Sequence, residues 1–165
     1  MLGPMAASPP DLIDDELRSF MQGPVSAMLA TVDQTNVPDA TRISGLVDLS
    51  SRRLRILIST EAREARTNAE PGARVAVLVT DITNYRSIQL KGRVVTGPQE
   101  RTAGDAALVH HHVESFCNAA PQVGLDPELA VALFPLEVVA IVLEVDELYN
   151  QTPGPGAGRR IAVGR

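Results

Sequence analysis

Two hydroxyls and three guanidiniums gather in the first half of this chain: Arg42, then Ser59 and Thr60, then Arg63 and Arg66. The stretch carrying them, PDATRISGLVDLSSRRLRILISTEAREARTN from Pro38 to Asn68, reads as two strands joined by a tight turn, followed by a short helix opening at Ser59-Thr60. A helix N-terminus presents unpaired N–H groups and the positive end of its dipole. Arginine adds planar, permanently charged donors that match phosphate oxygens in pairs. The chemistry such a corner supports is the holding of a phosphorylated small molecule. Plainer roles compete with it. Ser59 and Thr60 are ordinary helix caps, and Arg42 has Asp39 and Asp48 as candidate partners. Arg63 and Arg66 do not share one direction, so either can pair with Glu61 or Glu70. Glu61 in the first turn also competes for the dipole.

The run His110-His111-His112 invites a metal site. Adjacent helical side chains diverge by about 100°, so three in a row cannot chelate one ion from a regular helix. His110 with Glu114 makes half a site with no second half in the sequence, and a solvated or packed helix face is the expectation. Cys117 lies on the same stripe of small residues and reads as core. No G-x-S-x-G elbow supports a serine hydrolase. The GPGAG run near Pro155 lacks the strand–turn–helix setting of a dinucleotide fingerprint.

These candidates need elements to hold them. Asp11 is the expected N-cap of a first helix with apolar positions Leu12, Ile13, Leu17, Phe20 and Met21. Strands are expected over Val25–Val32, buried on both faces, then Ala40–Leu49 and Leu54–Ser59, where Leu54, Ile56 and Ile58 share a face. A helix over Glu61–Asn68 precedes a fourth strand, Arg74–Thr80, and a long fifth, Tyr85–Thr96, on which Ser87, Gln89 and Lys91 face one way. Gly97-Pro98 is expected to stop that strand. Glu100–Asn118 has helical spacing at 103, 106, 107, 113, 116 and 117, and Asp126 caps another short helix, PELAVALF. A sixth strand spans Glu137–Val145, and the tail QTPGPGAGRRIAVGR is too rich in Pro and Gly for regular structure. Six strands linked mostly by short turns make the chain mainly β, a six-stranded antiparallel barrel with flanking helices.

Composition bounds the rest. A chain of 165 residues suits one domain, divided as a disordered tail over 1–10, a barrel over 11–150 and a Pro/Gly-rich tail over 151–165. The net charge of −5 argues against a nucleic-acid partner, and aromatics at 3% leave few stacking platforms. The longest apolar run, Val138–Leu143, is strand-sized, so no membrane partner is expected. The N-terminus shows no secretory pattern, and one cysteine rules out an intrachain disulfide framework, which makes the cytoplasm the expected compartment.

The segments ATRISGLVDL, LISTEAREARTNAEPGARVAVLV, YRSIQLKGRV and DELYNQTPGPGAG, in that order from Pro24 to about Gly156, resemble the pyridoxamine 5'-phosphate oxidase-like group, the FMN-binding split barrels. The resemblance implies a split β-barrel homodimer with FMN at the subunit interface and a small-molecule substrate. It implies an oxidoreductase in which hydride passes between substrate and flavin. It places Arg42, with Ile43 and Ser44 beside it, and Ser59 and Thr60 at the cofactor, and Ser87 and Gln89 near the flavin ring or ribityl chain. The family's phosphate-binding lysine aligns with Ala65, so that role moves to the flanking Arg63 and Arg66. The family's tryptophan-containing C-terminal segment, with its substrate-gripping Arg and His, has no counterpart, which argues against oxidation of pyridoxamine phosphate itself. A non-catalytic flavin- or haem-binding module and a deazaflavin-dependent reductase are the alternatives on the same fold.

Overall fold

The computed structural model describes residues 11–164; the tail expected over 1–10 lies outside the described residues. Six strands close into an antiparallel barrel: β1 (Val25–Val32), β2 (Pro38–Asp48), β3 (Arg53–Ser59), β4 (Arg74–Asp81), β5 (Ser87–Glu100) and β6 (Val138–Asn150). Around the barrel the order is β3-β2-β1-β4-β5-β6, and pairing of β3 with β6 completes the ring. Closure leaves no unpaired edge among these strands where they pair. A seventh strand, β7 (Arg160–Val163), pairs with β6 through Glu147–Val163 and Leu148–Ala162. The tail is therefore partly regular, because long-range pairing supplies what its local composition lacks.

Alternation places the core. Val25, Ala27 and Leu29 on β1, Leu54, Ile56 and Ile58 on β3, Val75, Val77 and Val79 on β4, and Ile141, Leu143 and Val145 on β6 form one buried cluster. β1 alternates inward and outward residues, with Ala30 and Val32 exposed, and is not buried on both faces as expected. β5 continues through Gly97 and Pro98 to Glu100, because register shifts between Val94 and Gln99 accommodate the missing N–H. Its expected end at Thr96 is thus corrected. In the turn between β1 and β2 the Asp33 carboxylate accepts from the Thr35 N–H at 2.7 Å and the Val37 N–H at 2.9 Å.

Helices close one end and cover one side. α1 (Asp15–Met21) is capped by Asp14, which accepts from Leu17 N–H at 2.8 Å, and not by Asp11. Leu12 and Ile13 precede the helix, and both donate their backbone N–H to the Ser51 carbonyl while their side chains enter the core. α2 (Arg63–Asn68) follows β3, and α3 (Ala103–Ala119) starts with a capping box between Thr102 and Asp105. A 3-10 turn (Ala120–Val123) leads to α4 (Pro127–Val131), capped by Asp126 as expected. The buried face of α3 is Asp105, Val109, His112, Phe116 and Ala119. It differs from the stripe read from the sequence, and His110 is exposed. Through Val109 the helix packs on Leu57, Val138 and Ala140, outward residues of β3 and β6. No helix among the described residues is long and apolar enough to cross a membrane.

Candidate functional site

Arg42 lies on β2 between the barrel wall and the helical cover. Its Nη1 donates to the Ser26 hydroxyl at 3.2 Å, and its guanidinium carbon sits 5.4 Å from the centre of the Phe134 ring. It is half-buried and has no carboxylate partner among the described residues; neither Asp39 nor Asp48 takes it, and Asp48 instead binds Arg18 at 2.7 Å. Burial lowers the Arg42 pKa, though an arginine stays charged. A half-buried cation without an anion is costly, and most of the N–H donors of Arg42 remain unused. His112 meets the same Phe134 ring edge-on, with centroids 5.5 Å apart.

The register links Arg42 to the fifth strand. Arg42 pairs with Met28, Met28 with Leu78, Leu78 with Gln89, and Gln89 with Tyr149. Their strand neighbours Ile43, Leu29, Val77, Leu90 and Leu148 belong to the core, so this row faces outward. Three strand spacings put Arg42 and Gln89 roughly 14 Å apart, with Met28 and Leu78 half-buried between them. A parallel row of hydroxyls runs Ser26, Thr80, Ser87. Gln89 accepts from the Gln151 amide at 3.3 Å and keeps its own amide donors. Ser87 is buried and already engaged, donating to the Tyr85 carbonyl at 3.0 Å and touching the Thr80 hydroxyl at 2.9 Å.

Other expected residues fall elsewhere. Ile43 is a core residue, and the buried Ser44 hydroxyl donates to the Pro135 carbonyl at 3.1 Å, tying β2 to the loop after α4. Ser59 and Thr60 do not cap α2: its cap is Ala62, without a side-chain bond. Ser59 lies one residue past the Ile43–Ile58 pair, beside Arg42 on the adjacent strand, and its hydroxyl accepts from Glu61 N–H at 3.1 Å. Ala65, where the family's lysine would align, is fully buried. Arg63 and Arg66 are exposed and, with Thr67 and Pro98, line an open cavity of about 480 Å³. Arg66 spends one donor on the Thr60 carbonyl at 2.6 Å, and neither arginine pairs with Glu61 or Glu70.

Two residues of this face, Glu147 and Tyr149, escaped the sequence reading, and they meet Lys91, which was read on the same side as Gln89. Tyr149 donates to Glu147 at 2.5 Å, which raises its pKa, and the Lys91 ammonium lies 4.4 Å from its ring centre. Only the β5–β6 register brings these three together. Ser26, which touches Arg42, carries no local signal at all. His110 pairs loosely with Glu114 at 3.9 Å. Cys117 is half-buried against the Phe116–Phe134 cluster, where burial raises its pKa.

No family model and no curated protein matches the chain. Solved structures do. The HupZ structure from Group A Streptococcus superposes with a TM-score of 0.55 at 16% identity, covering 88% of this chain and 99% of that one. A Lactobacillus delbrueckii protein provisionally named a pyridoxamine 5'-phosphate oxidase superposes with a TM-score of 0.51 at 19% identity, covering 85% and 95%. Together with the closed six-stranded barrel and its register, these matches identify the fold: the chain has the six-stranded split-barrel fold of these structures.

Proposed function

We propose that this chain is an FMN-binding oxidoreductase that acts on a small molecule as a cytoplasmic homodimer. The observation that carries the reading is the outward row in which a half-buried guanidinium without a carboxylate, Arg42, shares a face with Gln89 across the half-buried Met28 and Leu78. An anionic end and a flat, hydrogen-bonding end are what a phosphorylated flavin offers, so the residues present fit it. Arg42, with Ser59 at the end of the next strand, Thr60 in the turn after it and Arg63 and Arg66 on α2, would hold the phosphate. Gln89, backed by Gln151, would bond the polar edge of the ring, with Ser87 stiffening that strand. The surface between them is apolar and only half-buried, and a second copy covering it would exclude water from the ring.

When bound, FMN supplies the hydride chemistry; the protein binds and orients it. No side chain is assigned a proton-transfer role. Oxidation of pyridoxamine phosphate is not part of the proposal, because the tail that would carry its Trp and His instead contributes β7 and has neither.

The purified protein is expected to be yellow, to release FMN on denaturation, and to have its bound flavin reduced by NADH or NADPH. Release of FMN without reduction by any donor would favour the flavin-binding module. A Soret band in place of the flavin spectrum would favour haem, and a colourless protein that ignores added FMN would overturn the reading.

A further inference from the structure

His112 is the one buried side-chain nitrogen site among the described residues left without a hydrogen bond: its Nε2 has no partner although the residue is only 3% exposed. Orphaned buried polar atoms are rare, and each costs on the order of 1–3 kcal/mol. This one does not stand alone. Phe134 meets His112 in a near-perpendicular ring contact and has the Arg42 guanidinium carbon over its ring, and Arg42 is the half-buried cation that lacks an anion. A guanidinium carbon over a ring is held by the ring's π-face, which uses none of its N–H donors as hydrogen bonds to an acceptor oxygen, so Phe134 positions Arg42 and leaves those donors for an anion. A nitrogen without a partner and a cation without an anion therefore flank one ring, on the side of the barrel where the Ser26 hydroxyl takes one of the Arg42 donors.

We propose that Arg42 and His112 form one oxyanion seat, oriented by Phe134, that takes the phosphate monoester end of the flavin. This rests on the reading above and adds a residue to it. Arg42 supplies the charge and His112 supplies a neutral Nε2–H donor. The imidazole stays neutral at pH 7, because burial first and then the charges of His111 on its own helix and Arg42 on β2 push its pKa down to about 4. A neutral donor avoids a second buried positive charge when no ligand is present. The helical cover, held to β2 by the Ser44–Pro135 bond, fixes the distance between the two donors.

The test uses the full chain with nitrogen-labelled histidine, titrated at pH 7 with FMN, riboflavin and inorganic phosphate. The His112 imidazole signals are expected to move with FMN and with inorganic phosphate, but not with riboflavin beyond the small change of ring binding. Arg42→Gln is expected to abolish the phosphate response. His112→Phe, which keeps an aromatic ring against Phe134, is expected to weaken FMN roughly ten- to hundredfold, the loss of one hydrogen bond to a charged group. It should leave riboflavin affinity unchanged, and His112→Gln should restore part of the loss. FMN binding that leaves the His112 signals still overturns this inference while the flavin reading stands. A phosphate response without FMN binding keeps the seat for another phosphate and overturns the flavin reading. Equal losses for FMN and riboflavin in His112→Phe mean a packing role only and overturn the seat.

Discussion

Arg55 on β3 and Asp105 on α3 meet as a two-pronged pair, Nε to Oδ1 at 2.8 Å and Nη2 to Oδ2 at 2.6 Å. Both are largely buried, and Asp105 also accepts from the Thr102 N–H at 2.6 Å. The pair clamps the start of the helical cover to the barrel wall. Breaking one partner leaves a buried charge, so Asp105→Ala is expected to cost roughly 3–5 kcal/mol in urea unfolding at pH 7.

The same carboxylate sets an acid limit. The Arg55 guanidinium, helped by Thr102, holds the Asp105 pKa at about 2 against an ordinary 3.8. A lowered carboxylate pKa stabilises the fold above the ordinary value and loses that contribution as pH falls through the folded one. Asp105 should therefore contribute about 2 kcal/mol at pH 5, declining between about pH 4 and pH 2. Unfolding curves of the wild type and Asp105→Asn should converge over that range; a constant gap would contradict the assignment.

His112 acts in a higher window. Its folded pKa of about 4 lies below the ordinary 6.5, so the unfolded chain binds its proton first. Stability from this group is intact above pH 6.5 and falls as pH drops toward 4, by about 2 kcal/mol at pH 5. His112→Phe should remove that slope between pH 7 and pH 5 and leave the Asp105 decline in place. An unchanged slope would show that His112 titrates normally.

Gly92 tests the closure of the barrel. It faces Val145 where the β5–β6 register shifts, and a Cβ there would collide with the Glu144 carbonyl. Backbone rather than a flexible side chain blocks the space, so Gly92→Ala should destabilise by roughly 1–3 kcal/mol. Unchanged thermal unfolding would mean that the two strands do not approach this closely.

Much of the barrel was legible because its strands are amphipathic. Leu54, Ile56 and Ile58 alternate on one side of β3, and the structure puts all three in the core. The side of α3 that packs was not legible, because its buried face includes Asp105 and His112, whose burial depends on Arg55 and Phe134 far away in sequence. β7 was missed for a related reason: Arg160–Val163 becomes a strand by pairing with β6, against its local composition. At the site, Arg42 and Gln89 were named separately, but only the register shows that they share a row. The helix cap expected at Ser59-Thr60 fails because the chain turns once more, and Ser59 spends its acceptor on Glu61 before α2 begins.

A crystal structure grown with excess FMN tests the central claim most directly. Phosphate density against the Arg42 guanidinium, with the ring along the face that ends at Gln89, is the expected result. Ordered solvent at Arg42, or flavin bound only at a site remote from that row, would contradict it.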